Sequence, residues 1–370
     1  MIDLEIPNKL KPIMELAGAV AAGYFRPISR KYDRAEHAYP KELDLLQAAF
    51  SGLSDSGRLQ GAGAAAKAGD ASAEAKKDDV VNGGNMSTVL GITELAWGDV
   101  GLLLTMPGQG LGNAAISAVA NEEQRERFGG KWAAMAITEP GAGSDSAAIR
   151  TTARLDGDEW VLNGEKIYVT CGERADLVVV WASVDPERGR AAIKSFVVEQ
   201  GTPGMQLLRL DKKMGIRASD TAVIAFDDCR IPRANLLGTE EIASATKGFA
   251  GVMKTFDNTR PMVGGMAIGV ARAALERLRE LLAKAELSPR YGGSIHAGQH
   301  AEVEMVRMEA ELEAARLMTL KAAWMADNRV PNSLEASMSK AKAARVGNAI
   351  TLRAVELAGA LGYGEDELLE

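Results

Sequence analysis

The segment Ala136–Asp145 carries the densest group of side chains that could bind a ligand. It reads Ala-Ile-Thr-Glu-Pro-Gly-Ala-Gly-Ser-Asp and combines the hydroxyls of Thr138 and Ser144 with a proline and the glycines Gly141 and Gly143. Glycines let backbone N–H groups approach a ligand closely, and hydroxyls add directed hydrogen bonds. The segment therefore predicts a turn that binds either a polar ring or a phosphate.

The composition limits what the rest of the chain can be. A chain of 370 residues with 46% hydrophobic and 25% charged residues is typical of a soluble protein with two or three domains. The net charge of −7 argues against general nucleic-acid binding, and no apolar run is long enough to span a bilayer. The N-terminus lacks the pattern of a secretory signal, and the two cysteines fit a reducing compartment. We expect a cytoplasmic protein without a metal site.

Helical periodicity is found on both sides of a central stretch of strands. Residues 9–50 and 87–128 show helical spacing, and Asn121 with Gln124 forms the pattern of a capping box. Residues 51–86 have almost no large apolar side chains, so we interpret them as a mobile surface loop. Helical spacing returns from about residue 244. One apolar face of a long helix is predicted from Met305, Met308, Leu312, Ala315, Ala322 and Met325.

The central stretch reads as short strands separated by turn residues. The dipeptide Asn163-Gly164 between two of these strands is typical of a hairpin turn. Such a pattern predicts an antiparallel sheet or a small barrel. The predicted strands are 159–162, 166–170, 177–183, 195–199 and 221–226.

Several segments in a fixed order resemble the acyl-CoA dehydrogenase family of flavoenzymes. The segment Ala136–Asp145 is followed by Asn-Gly-Glu-Lys-Ile-Tyr-Val-Thr at 163–170, and by Lys-Met-Gly-Ile-Arg-Ala-Ser-Asp-Thr at 213–221. Further matches are Phe226–Pro232, Phe256–Pro261 and Tyr291–Ile295 with Gln299. The resemblance covers nearly the whole chain. It implies a mostly α fold with a central β domain: an N-terminal helical domain (1–132), a middle β-barrel or sheet domain (133–242), and a C-terminal four-helix bundle (243–370), expected to be incomplete at its end.

The resemblance also implies an activity and a set of site residues. The family uses FAD to remove one hydrogen each from the α and β carbons of an acyl-CoA thioester, and passes the electrons to an electron-transfer flavoprotein. Tyr168 stands where relatives often have Trp, and it keeps a flat stacking face. The cofactor-binding residues implied are Met135, Ile137, Thr138, Ser144, Tyr168, Thr170, Arg290, Tyr291 and Gln299. The substrate-binding residues implied are Ser144, Asp257, Arg260, Met106 and Pro107.

The catalytic base departs from the family pattern. One branch of the family has a glutamate where this chain has Thr259, which offers no carboxylate. The other branch takes its base from a late Glu-Gly-Thr segment after the turn that matches Gly362–Gly364. We therefore predict no catalytic residue within 1–370 and expect the base beyond Glu370. The acidic cluster Glu365, Asp366, Glu367 and Glu370 is interpreted as a solvated run of charge.

Two further departures concern the contact between subunits. Relatives place an arginine at the position of Ser288, where it contacts the flavin diphosphate of a neighbour, and often a glutamine at the position of Ala358. The chain thus predicts either a homo-oligomer or a pairing with a related acyl-CoA dehydrogenase subunit. The alternatives to an acyl-CoA dehydrogenase are a non-catalytic subunit of a heteromeric one and a flavin oxidase acting on a substrate other than CoA. The length of the acyl group is left open.

Overall fold

The N-terminal helices are shorter than the sequence predicts. The computed structural model describes residues 6–46, 83–108, 111–242, 250–292 and 294–369. Helix α1 (Lys11–Val20) continues through a π-helical turn into α2 (Arg26–Arg34). The helical prediction over 9–50 is wrong between α2 and residue 42, because Glu36 and His37 have φ values of 22° and 64°. The Glu36 carboxylate instead accepts a hydrogen bond from the Lys213 amide at 3.1 Å. Residues 42–46 are helical again, and 47–50 lie outside the described residues.

Four further helices of the described residues precede the sheet: α3 (Gly84–Gly98), α4 (Val100–Thr105), α5 (Leu111–Val119) and α6 (Glu122–Phe128). Of the loop predicted over 51–86, residues 84–86 are helical instead and 51–82 lie outside the described residues.

The carboxylate of Asp327 explains why α3 begins at Gly84, since it accepts hydrogen bonds from the amides of Gly83, Asn85 and Met86 at 2.9–3.0 Å. The capping box predicted at Asn121 and Gln124 is confirmed, with both reciprocal bonds present at the start of α6.

Seven strands form one sheet. They are β1 (Ala133–Ala136), β2 (Thr152–Asp156), β3 (Glu159–Thr170), β4 (Leu177–Ser183), β5 (Ile193–Glu199), β6 (Met205–Leu210) and β7 (Thr221–Pro232). The order is β1-β4-β2-β3-β7-β6, with β5 also paired to β4. Strands β1 and β2 run parallel to β4, and the other pairs are antiparallel. The sheet is thus mixed, not purely antiparallel as predicted.

The hairpin predicted at Asn163-Gly164 is wrong, because β3 runs unbroken through both residues. The Asn163 amide bonds Asp228 on β7, at 2.9 Å to its backbone N–H and 3.0 Å to its carboxylate. Gly164 has a φ of 150°, and a Cβ there would lie 2.5 Å from the Thr151 Oγ1. The dipeptide therefore marks a bulge at which the chain preceding β2 crosses closely, and glycine is required for that approach.

Three long helices follow the sheet: α7 (Ala250–Lys284), α8 (His300–Asp327) and α9 (Ser333–Ala358). The apolar face predicted on one long helix is confirmed on α8, where five of the six residues are buried and Leu312 packs against the same core. The described residues hold three long helices of the predicted four-helix bundle. The acidic cluster is not simply solvated within 365–369, because Glu367 bonds Arg277 of α7 at 2.6 Å and Leu369 is buried, while Glu370 lies outside the described residues.

The chain divides into two compact units. One comprises the described residues of Met1–Arg30, Ala73–Leu103 and Arg260–Glu370, and the other those of Lys31–Ser72 and Leu104–Thr259. The second unit holds the whole sheet, with apolar residues packed on both of its faces. The three domain boundaries inferred from the sequence stay a prediction. None of the helices in the described part of the chain is long and apolar enough to cross a membrane.

Candidate functional site

A pocket with a cavity volume of about 70 Å³, partly open to solvent, lies in the second unit. The start of α5, the end of β1 with the residues after it, and the end of β3 form its wall. Five of the six residues predicted to bind the cofactor within one subunit come together here, while Ser144 lies outside the lining and is exposed. The lining residues are Leu111, Met135, Ile137, Thr138, Ile167, Tyr168 and Thr170.

The Tyr168 ring is presented to the pocket by a bulge in β3. Lys166 pairs with Ile224 and Val169 with Ala222, so two residues of β3 stand opposite one residue of β7. Tyr168 has a φ of 58°, a costly conformation for an aromatic residue, and its side chain is 64% exposed. A bulge of this kind turns a side chain away from the alternation of the strand. The exposed ring therefore offers a flat apolar face to a ligand.

Two hydroxyl groups in the lining are left for a ligand. Thr138 and Thr170 are half-buried, and neither hydroxyl forms a hydrogen bond with any group in the described part of the chain. Each can donate one hydrogen bond and accept others. The pocket thus combines an aromatic face with directed polar groups, which suits a planar heterocycle better than a purely apolar molecule.

The turn after Thr138 is closed by its own backbone. The amide of Glu139 donates to the carbonyl of Ala142 at 3.0 Å, and the amide of Ala142 donates back at 3.1 Å. Gly141 and Gly143 are exposed, and a Cβ at either position would meet nothing within 4 Å. The fold of the described residues does not itself require glycine there, so the open space beside these backbones is available to a ligand.

A buried ion pair lies directly behind the pocket. The Lys166 Nζ is 2.7 Å from the Glu139 Oε1, with 0% and 7% of the two side chains exposed. Burial lowers the pKa of Lys166 to about 8, against the opposing effect of Glu139. Burial alone would raise the pKa of Glu139, but hydrogen bonds from Lys166, Thr151 and the Arg150 amide outweigh it and lower that pKa. Glu139 stays ionised.

Glu139, Lys166, Ile167 and Leu111 are given no role by the sequence. A signal for the first two was present, since Lys166 directly precedes the run Ile-Tyr-Val and a buried lysine needs a partner, and Glu139 is the acid in the first motif. Whether Ile167 and Leu111 line the pocket depends on strand register and helix packing. A Cβ on Gly112, for example, would lie 2.3 Å from the Ala134 carbonyl, which shows how closely α5 approaches β1.

The cysteines are buried and provide no nucleophile. Burial raises the pKa of Cys171, with a further contribution from Asp220, and the Cys171 Sγ donates to the Leu104 carbonyl at 2.9 Å. Burial also raises the pKa of Cys229, to about 11. The thiolate form needed for nucleophilic attack is therefore disfavoured at both positions. Across the described ranges, no group of three or more potential metal ligands comes together.

The predicted substrate residues are placed on α7 and after α4. Asp257 and Arg260 are half-buried and one turn apart on α7, with the buried Thr259 between them. The Thr259 hydroxyl lies 3.4 Å from the Phe256 carbonyl. Met106 is buried and Pro107 half-buried in the turn after α4, and neither belongs to the pocket lining. Their roles toward substrate stay predictions.

The other residues predicted to bind the cofactor, Arg290, Tyr291 and Gln299, lie around the start of α8, in the first unit. Arg290 is 3.4 Å from the Glu302 carboxylate, and the Tyr291 hydroxyl donates to Glu309 at 2.8 Å. Gln299 caps α8, and its backbone amide donates to the Glu302 carboxylate at 2.7 Å. Arg290 and Tyr291 are thus engaged by carboxylates, which an anionic diphosphate would have to displace.

Comparison with protein-family models matches two parts of the chain. The acyl-CoA dehydrogenase middle domain matches residues 134–229, which include most of the pocket, and the acyl-CoA dehydrogenase C-terminal domain matches residues 246–370. Together these matches cover more than half of the sequence.

Individual relatives agree with this assignment. The short-chain specific mitochondrial acyl-CoA dehydrogenase of Rattus norvegicus is 39% identical over 235 residues, which are 64% of this chain and 55% of that protein. The chain thus spans little more than half the length of this relative. The short-chain specific acyl-CoA dehydrogenase of Clostridium acetobutylicum is 30% identical over 100% of this chain and 92% of that protein.

A solved structure extends the agreement to the fold. Butyryl-CoA dehydrogenase from Megasphaera elsdenii superposes with a TM-score of 0.81 and 29% identity, covering 99% of this chain and 91% of that one. The chain has the fold of these enzymes and belongs to the acyl-CoA dehydrogenase family.

Proposed function

We propose that the chain is an FAD-dependent acyl-CoA dehydrogenase that binds the flavin ring in the pocket described above. The observation that carries this proposal is that the exposed Tyr168 and the hydroxyl-bearing Thr138 and Thr170 line the same pocket. A flavin is a planar ring system with polar atoms along its edges, so it needs a stacking face and directed hydrogen bonds. The residues present fit that group.

The chemistry follows from what FAD supplies when bound. It would accept the β hydrogen of the thioester as hydride, while a carboxylate takes the α proton and the trans-2-enoyl-CoA forms. The residues of this chain would hold and orient the ring by Thr138, Thr170 and the adjacent backbone. Thr259 cannot take the proton. The position of the catalytic base therefore stays the prediction made from the sequence.

The substrate class rests on the relatives and on α7. The rat and Clostridium relatives are named as short-chain specific and the Megasphaera enzyme acts on butyryl-CoA, which supports a short acyl group here. Arg260 and Asp257 would meet the CoA portion, with the guanidinium suited to phosphate. We further propose an electron-transfer flavoprotein as the electron acceptor, a cytoplasmic location, and assembly with a second copy or a related subunit.

The test is titration of the apoprotein with FAD, followed by addition of butyryl-CoA. We expect saturation at one FAD per chain and a change in the flavin absorption spectrum when butyryl-CoA binds. Thr138→Val and Thr170→Val should each weaken FAD binding about fivefold, because each removes one hydrogen bond worth about 1 kcal/mol. Thr202→Val, in an exposed turn of the same unit, is the matched control. A protein that binds no FAD refutes the proposal.

A second candidate is a subunit that shares catalysis with a related chain. It is favoured by Glu302 and Glu309, which occupy Arg290 and Tyr291 where a neighbour's diphosphate would bind. In this case the chain alone would bind FAD weakly, and co-expression with a related acyl-CoA dehydrogenase subunit would restore tight binding. Equal FAD affinity alone and in the co-expressed complex would exclude it.

A further inference from the structure

We propose that the buried Glu139–Lys166 pair positions the cofactor pocket: it holds the segment Ile137–Glu139 against β3 and so fixes where Thr138 and Tyr168 meet a ligand. This inference rests on the proposed FAD function, and it concerns two residues that do not line the pocket themselves. They would be positioning residues, since their polar atoms are turned toward the protein interior.

Three consecutive residues of the segment are held by two consecutive residues of β3. The Lys166 Nζ donates to the Ile137 carbonyl at 3.1 Å and to the Glu139 carboxylate at 2.7 Å. Between these contacts, the Ile167 amide donates to the Thr138 carbonyl at 2.9 Å. The backbone of Thr138 therefore cannot move relative to β3 unless at least one of these bonds breaks.

The carboxylate of Glu139 is bound by other partners as well. It accepts from the Arg150 amide at 2.6 Å, from the Thr151 amide at 2.9 Å and from the Thr151 hydroxyl at 2.6 Å. These bonds tie the chain that enters β2 to the same point. With the bond from Lys166 the carboxylate accepts four hydrogen bonds from the protein, which again indicates a role in position and not in chemistry.

The pair lies beside an irregularity in the sheet. The bulge between Lys166 and Val169 interrupts the regular pairing of β3 with β7, so the backbone next to Tyr168 is not fixed by that pairing alone. The hydrogen bonds that Lys166 and Ile167 donate to the segment Ile137–Glu139 replace this pairing. A buried ion pair is a poor source of stability compared with apolar residues of similar volume, but its directed bonds fix geometry.

The decisive variant is Glu139→Gln with Lys166→Met, which removes both charges together and nearly preserves the volume. We expect this double variant to keep its melting temperature within a few degrees, since no unpaired buried charge remains. Its FAD dissociation constant should rise about tenfold or more, and in the apoprotein the Ile167 amide should exchange with deuterium about tenfold faster. Mass spectrometry of fragments spanning 166–169 follows that exchange.

The control is Lys131→Met, because Lys131 and Glu199 form an exposed pair at 3.4 Å in the same unit. This variant should change neither FAD affinity nor exchange. If the double variant does not fold, Thr151→Val removes only one bond to Glu139, and it should still raise both quantities by a smaller factor. Wild-type FAD affinity with unchanged Ile167 exchange in the folded variants overturns the inference. If the wild-type protein binds no FAD, the proposed function fails, and the exchange measurement alone decides the inference.

Discussion

Substituting Gly164 by alanine tests how closely two strands must approach behind the pocket. A Cβ at Gly164 would lie 2.5 Å from the Thr151 Oγ1 and 2.8 Å from the Thr151 Cα. The second atom is backbone, so rotating the Thr151 side chain cannot relieve the clash. Thr151 bonds Glu139 through both its amide and its hydroxyl, and a displaced Thr151 therefore disturbs the carboxylate that anchors the segment carrying Thr138.

The expected loss of stability has two causes, crowding and the positive φ. A variant at a second glycine separates them. Crowding in a packed interior costs about 1–3 kcal/mol, and a side chain at positive φ costs about 1–2 kcal/mol. Gly157 also has a positive φ, of 64°, but a Cβ there meets nothing within 4 Å. We therefore expect Gly157→Ala to lower the free energy of unfolding by about 1 kcal/mol, and Gly164→Ala by about 3 kcal/mol.

The assay is urea unfolding followed by tryptophan fluorescence, to which Trp160, buried in β3 itself, contributes. The two variants are compared only if their unfolding free energies depend on urea concentration with equal slopes. The shift in the urea midpoint then reports stability alone. Gly164→Ala should also weaken FAD binding, whereas Gly157→Ala should not. Equal destabilisation by the two variants would show that β3 relaxes away from Thr151, and the argument that glycine is required at 164 would then be wrong.

Local patterns predicted the elements that depend on neighbouring residues in the chain. The capping box at Asn121 needs only a partner three residues away, and the buried face of α8 follows from helical spacing over one segment. Strands β4 and β5 were predicted because they are buried almost throughout. Strand β6 was missed since most of its side chains are exposed, and β1 is a four-residue strand rich in alanine.

What the sequence could not predict depends on contacts between distant segments. Asn163-Gly164 has the composition of a turn, but Asp228 on β7 and the close approach of Thr151 keep β3 extended there. Five of the seven residues that line the pocket are among those that the family resemblance implies. The role of Lys166 was not predicted, because it requires knowing which carbonyl and which carboxylate lie opposite its side chain.

Three further predictions test the electrostatics, the ligand and the helices. Cys229 has its pKa raised from 9.0 to about 11, so it favours the native state below pH 9 and this contribution is lost as the pH rises toward 11. Between pH 9 and 11 the free energy of unfolding should therefore fall by roughly 2 kcal/mol less in Cys229→Ala than in the wild type. Parallel plots of unfolding free energy against pH for the two proteins would contradict this. Gly143→Ala should leave the unfolding free energy unchanged because its Cβ meets open space, yet weaken FAD or acyl-CoA binding in a titration; unchanged affinity would mean that no ligand approaches that backbone. Asp327→Ala should lower the free energy of unfolding by about 2–3 kcal/mol in urea, because three amides at the start of α3 lose a charged acceptor at once. Asp327→Asn keeps one acceptor oxygen in nearly the same volume and should cost about half as much, so equal losses from Ala and Asn would assign the effect to charge and not to hydrogen bonding.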